Sequence, residues 1–169
     1  MVFGSEDGLV TTLGLTAGLA TSLVTKNIVI IAAIVEMFAG AVSMAAGTYL
    51  SSKSQLEFIN KEVMNHREEK AFIKHTFNSP IRASSTIFLF YVLAAIPPIV
   101  PYVFLDIKPA LITSIAVSAL FLFGIGVWKT KLTKRGALKS GLEMLFIGLL
   151  AALVGFIVGN IIHLYTGLV

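Results

Sequence analysis

Hydrophobic residues in this chain are grouped into long runs rather than spaced as amphipathic stripes. Five such runs cover approximately residues 8–25, 27–50, 84–105, 110–128 and 141–166. Each is near the roughly 20 residues a helix needs to cross about 30 Å of hydrocarbon. The pattern predicts an all-α, polytopic membrane protein: a single domain over 1–169 with five transmembrane helices, in which 51–83 forms a short polar connection. The first run reads as a retained helix rather than a leader, because Glu6 and Asp7 precede it and Lys26 follows it, so the basic start of a secretory signal is lacking.

Composition strengthens this picture. Of 169 residues, 56% are hydrophobic and 13% charged, about half the charge of a soluble domain, where roughly 25% is usual. There is no cysteine, which removes disulfides and thiolate ligands. The net charge of +4 would suit nucleic acid in a soluble protein, but here it is explained by orientation, and no nucleic-acid partner is expected. If 51–83 and 129–140 share one side, that side holds Lys53, Lys61, Arg67, Lys70, Lys74, Arg82, Lys129, Lys131, Lys134, Arg135 and Lys139. The other side holds Lys26 and Lys108. Cytoplasmic loops carry the excess of lysine and arginine, so the N-terminus is expected in the cytoplasm and the C-terminus outside.

Small residues recur at four-residue spacing: Gly4 and Gly8, Gly14 and Gly18, Gly155 and Gly159. In lipid this spacing lets helix backbones approach closely. Pro97, Pro98 and Pro101 lie at the end of the third run and predict a kinked or broken outer end, since proline has no N–H to donate. Trp128 and the basic residues after it read as an interfacial loop that fixes topology.

Glu36 is the most informative residue, because an unpaired carboxylate at bilayer depth costs several kcal/mol, roughly 3 on insertion scales. At helical spacing Glu36, Gly40, Ser43 and Gly47 share a face, with Met44 about 80° round. Asp7 opens the first run, and no basic residue lies inside any run to neutralise Glu36. Three explanations compete: an ion or proton site, a structural hydrogen bond between helices, or a protonated group facing lipid. A cation is the natural partner, and the thioether of Met44 beside carboxylates favours a transition metal over Ca²⁺ or Mg²⁺. Tyr91, in the inner half of the third run, is a further pathway candidate. Weaker metal candidates are Glu62, His66 and Glu69, at i, i+4 and i+7 of the polar connection, and Glu143 near the cytoplasmic surface. Enzyme chemistry is not expected: His66 and His75 are outside the runs, and His163 stands alone near the outer end.

Several stretches together resemble the vacuolar iron transporter family. They are Asp7-Gly8-Leu-Val-Thr-Thr-Leu-Gly14, Glu36 with Gly40-Ala-Val-Ser43-Met44-Ala-Ala-Gly47-Thr-Tyr49-Leu-Ser51, Ile96-Pro97-Pro98-Ile-Val-Pro101-Tyr102, and Lys139-Ser-Gly141-Leu running into Ile147–Gly155. The resemblance implies homodimers of five-helix subunits, with an ion path near the dimer interface lined by the first helix. It implies export of Fe²⁺ or Mn²⁺ from the cytoplasm in exchange for protons, with Asp7, Glu36 and Met44 as metal ligands and no permanently bound cofactor. Membrane lipids, protons and divalent ions are the other expected partners. Plant-type members insert a long glutamate-rich domain between the second and third spans; here only Glu57, Glu62, His66, Glu68 and Glu69 stand in for it. The alternative expectation is a membrane scaffold or metal-binding protein without transport, in which Glu36 makes a structural helix–helix hydrogen bond. The transporter reading requires Glu36 to face a protein-lined space. A carboxylate aimed into lipid, or capped by fixed donors with no access, contradicts it.

Overall fold

The computed structural model describes residues 1–22, 24–62, 79–134 and 136–166. These form five helices: α1 (Val2–Thr21), α2 (Lys26–Glu62), α3 (Pro80–Phe104), α4 (Ile107–Thr133) and α5 (Ala137–Thr166). Four of them contain stretches long and apolar enough to cross a membrane: Lys26–Phe58, Pro80–Phe104, Ile107–Lys131 and Ala137–Tyr165. The fold is therefore all-α with the character of a polytopic membrane protein. The fifth helix, α1, has comparable length but is diluted by glycine and threonine, and it packs against all four others. Its buried positions include Gly4, Ser5, Gly8, Leu9, Thr12, Leu13, Thr16, Ala17 and Ala20. A helix enclosed by its neighbours needs little hydrophobicity of its own, because packing and hydrogen bonds replace contact with lipid.

Glycine sets the direction and closeness of these contacts. Gly4 and Gly8 of α1 lie against the backbone of Ile87 and Tyr91 in α3, while Gly14 and Gly18 lie against Ala151 and Gly155 in α5. Numbers rise together in both pairs, so α1 runs parallel to α3 and α5. Gly126 meets Ser140 and Gly141, and Leu122 meets Gly148, so α4 and α5 are antiparallel. Odd helices thus run one way and even helices the other. The turns after α1 and α3 share one end of the bundle, and the turn between α4 and α5 is at the opposite end, near the N-terminus. Four helices meet in one core cluster of Leu9, Ala94, Leu122 and Met144. A second cluster joins Ala20, Val29, Tyr102 and Ala110 near the two turns.

The helix boundaries depart from the apolar runs in instructive ways. α1 begins at Val2, not near residue 8, so Glu6 and Asp7 lie within its second turn. The early start is compatible with packing, since Gly4 and Gly8 both seat on α3. α2 continues through 51–62, where no glycine or proline interrupts it, and at 37 residues it is about 55 Å long, well beyond the hydrocarbon thickness. Lys53 and Glu57 form an exposed ion pair at 3.9 Å on that extension. The remainder of the expected connection, 63–78, lies outside the described residues, and α3 starts at Pro80.

α3 runs to Phe104 with Pro97, Pro98 and Pro101 inside it, so the expected break at its outer end is not a helix end. The prolines remove the N–H groups that would reach the carbonyls of Leu93, Ala94 and Pro97, a loss that a packed bundle tolerates. The Ser114 hydroxyl of α4 donates to the Pro98 carbonyl at 2.8 Å, and the Leu105 N–H returns to the Pro101 carbonyl at 2.9 Å. At the α1 turn, the Ser22 hydroxyl donates to the carbonyls of Gly18 and Gly159 at 2.9 and 3.2 Å, tying α1 to α5.

Gly155 and Gly124 test this packing against each other. A Cβ on Gly155 would fall on the Gly14 carbonyl of α1, whereas one on Gly124 meets nothing within 4 Å. Gly155→Ala should cost about 1–3 kcal/mol by overpacking, and Gly124→Ala should be neutral or stabilising by up to ~1 kcal/mol. Thermal unfolding in detergent checks both; equal melting temperatures would contradict the close α1–α5 approach.

Candidate functional site

The site is built where α1, α2 and α3 meet around Glu36. One turn along α2, Gly40 leaves space where a side chain would collide with the Tyr91 hydroxyl, and Gly8 of α1 does the same for the Tyr91 backbone. Two glycines on two helices thus make a slot for one tyrosine. Tyr91 is 1% exposed, and its hydroxyl donates to Glu36 Oε1 at 2.5 Å. On the other side Thr12 Oγ1 donates to Glu36 Oε2 at 2.7 Å, and Thr12 is fully buried. Each carboxylate oxygen therefore has its own hydroxyl donor, from a different helix.

The network extends toward the helix start. Thr11 Oγ1 lies 2.8 Å from the Tyr91 hydroxyl and 2.7 Å from the Asp7 carbonyl oxygen. With Glu36 ionised, Tyr91 donates to it and Thr11 serves either Tyr91 or the Asp7 carbonyl. With Glu36 protonated, the same distances allow Glu36 to donate to Tyr91, Tyr91 to Thr11 and Thr11 to the Asp7 carbonyl. Hydroxyls are donors and acceptors at once, so the cluster is satisfied in both states. The Asp7 carboxylate is near enough to interact electrostatically with Glu36. Among the described residues no lysine or arginine pairs with Glu36.

Accessibility follows an i, i+4 ridge. Glu36, Gly40, Met44 and Thr48 are half-buried, at the margin of the buried stripe Val29, Ala33, Met37 and Ala41. Ser43 and Gly47, expected on the Glu36 face, are exposed on the outer flank of that ridge. Met44 stands two turns from Glu36, about 12 Å along the axis. Because α1 and α2 are antiparallel and Thr12 is level with Glu36, Asp7 falls at an intermediate depth, about 7.5 Å from Thr12 along α1. The three sequence candidates are thus strung along one seam rather than gathered at a point. Among the described residues no group of three or more His, Asp or Glu side chains is placed to hold a metal.

Glu143 is exposed and lines a separate recess of about 380 Å³ with Gly136, Lys139 and Ser140. His66, Glu69 and the side chain of Glu62 lie outside the described residues. Thr11 and Thr12 stand in the sequence only as part of the Asp7–Gly14 stretch and are not among its site candidates; their position at the level where α1 passes Glu36 is the signal that finds them.

A carboxylate held by two hydroxyls has a measurable signature. Thr12→Val or Tyr91→Phe leaves one Glu36 oxygen without its donor and should cost about 1–3 kcal/mol. In a Glu36→Leu background the same substitutions should cost less by ~0.5–3 kcal/mol. Equal costs in both backgrounds, read by thermal unfolding, would contradict the network.

Comparison with known proteins places this geometry in context. The VIT family profile matches residues 1–75 and 64–160. "Vacuolar iron transporter homolog 2" of Arabidopsis thaliana is 30% identical, over 97% of this chain and 83% of its own. "Vacuolar iron transporter 1" of Tulipa gesneriana is 28% identical over 90% of this chain and 81% of its own, and the Arabidopsis thaliana protein of that name is 25% identical over 96% and 85%. With the profile spanning nearly the whole bundle, this chain belongs to the VIT family.

Proposed function

We propose that the chain transports a divalent transition-metal ion, Fe²⁺ or Mn²⁺, out of the cytoplasm in exchange for protons. The observation that carries this reading is Glu36: an acid group in the apolar part of the bundle, half-buried, held by neutral hydroxyls and, among the described residues, by no cation. An intramembrane carboxylate without a basic partner is suited to bind and release a positive charge. Because Tyr91 and Thr12 satisfy it whether ionised or protonated, with Thr11 partnering Tyr91 in both states, Glu36 can lose or regain a proton without stranding a buried polar atom, as exchange of that proton for a metal requires. The relatives named as vacuolar iron transporters support iron as the cargo.

In this mechanism α1 spans the membrane as a fifth helix, with the N-terminus in the cytoplasm and the C-terminus outside, as the eleven-to-two distribution of basic residues favours. The ion enters past Asp7 and Met44, reaches Glu36, and leaves at the end where the α1 and α3 turns lie. Among the described residues one subunit gathers no group of three or more His, Asp or Glu side chains at any one depth. We therefore assign the working unit to a homodimer. Its contact is the exposed small-residue face of α2, Ala39, Ser43 and Gly47, beside the Glu36–Met44 ridge. Close approach there sets two carboxylates and two thioethers along one path.

The scaffold reading is favoured by one feature, the two hydroxyl donors already on Glu36. Reconstituted vesicles with an internal metal-sensitive dye and an imposed pH gradient separate the two. The transporter reading expects gradient-stimulated Fe²⁺ or Mn²⁺ uptake that falls roughly tenfold or more in Glu36→Ala, the equivalent of about 1.4 kcal/mol or more, with clear losses in Asp7→Ala and Met44→Ala. No uptake by the folded wild type, or equal uptake in all variants, would refute it. The scaffold reading instead expects Glu36→Gln to lower thermal stability without changing metal affinity.

A further inference from the structure

The lipid-facing side of α4 carries a groove of about 390 Å³, lined by Leu120, Phe121, Gly124, Ile125 and Trp128. Gly124 makes it: a Cβ there would meet nothing within 4 Å, while Leu120 and Phe121 on one side and Trp128 on the other stand out from the bundle. From Leu120 to Trp128 the groove runs about 12 Å along the helix, most of the depth of one leaflet in a bilayer with ~30 Å of hydrocarbon.

The two ends of the groove differ. Toward Leu120 it remains apolar. Beyond Trp128 the next side chain on the same helical face is Lys131, three residues past the indole and seven past Gly124, and it is exposed. Lys129 flanks it, and Lys134 ends the helix in the left-handed conformation with φ 53°. Glu143 stands at this end of the bundle too, but it lines the separate recess with Lys139. A shallow apolar groove spanning most of one leaflet, with an interfacial tryptophan at its mouth and lysine above it, complements the charge and polarity pattern of a phospholipid with an anionic headgroup.

We propose that this groove binds one acyl chain of an anionic membrane phospholipid, with Lys131 holding its headgroup and Trp128 marking the boundary between the two. A second copy of the chain fits the face poorly, since its lysines would oppose like charges.

Trp128 is the sole tryptophan of the chain, so its fluorescence reports this groove alone. The full chain is reconstituted in mixed phosphatidylcholine and phosphatidylglycerol bilayers, with bromine on the acyl chains of one lipid or the other. At equal mole fractions brominated phosphatidylglycerol should quench Trp128 as a preferred neighbour, with a relative association roughly fivefold over phosphatidylcholine, the effect of one lysine at an anionic surface. Lys131→Gln should abolish the preference, and Gly124→Leu, which puts a side chain where the glycine leaves open space, should reduce quenching by both lipids. Three outcomes overturn the proposal: equal quenching by the two lipids in the wild type, a preference retained in Lys131→Gln, or no quenching by either lipid, which would mean that protein covers the face. Helicity of each variant, measured in the same vesicles, identifies those that retain the fold, and any one of them decides the question.

Discussion

A carboxylate inside a bundle of apolar helices must find donors, a cation or a proton, because hydrocarbon supplies none of them. Glu36 imposes that requirement on three helices. α1 must present hydroxyls at the depth of Glu36, which it does with Thr11 and Thr12. α3 must bring a buried tyrosine to the same point, and α2 must leave room for it at Gly40. The polar character of α1 is thus a consequence of what it serves, and enclosure by four neighbours is what permits it.

The same helix joins the site to the rest of the bundle. Its first two glycines seat on α3 beside Tyr91, and its next two seat on α5. Any displacement of α1 relative to α2 would shift Thr12 against Glu36 directly. The contacts Gly14–Gly155 and Gly18–Gly159 that hold α1 to α5 lie on the half of α1 farther from Asp7. The hydroxyls around Glu36 are short-range and neutral, so among the described residues no ion pair holds the carboxylate in place.

Much of this was legible in the chain. Long apolar runs located the helices, the glycine pairs located the close contacts, and the uncompensated charge of Glu36 marked the site. Other features were not. Threonines and serines in apolar helices commonly bond their own preceding turn, as Thr48 does to the Met44 carbonyl and Thr113 to the Pro109 carbonyl, so periodicity gave no reason to single out Thr11 and Thr12. Tyr91 stands out in the sequence as a pathway candidate, but its place as a donor to Glu36 is visible only once the two glycines that seat it are placed opposite each other. Met44 shares the ridge of Glu36, but helical rise separates them by two turns, a distance that angular arguments do not register. The early start of α1 and the long extension of α2 escaped because polar residues inside a continuing helix look like its end.

The most direct measurement is infrared difference spectroscopy of the reconstituted protein, recording the protonated-carboxyl band as Mn²⁺ is added, with the Glu36→Gln variant to assign it. If Glu36 trades a proton for a metal, saturation with Mn²⁺ removes a carboxyl band that Glu36→Gln lacks, and acidification restores it. A Glu36 carboxyl band that is unchanged from metal-free to metal-saturated protein would contradict the account.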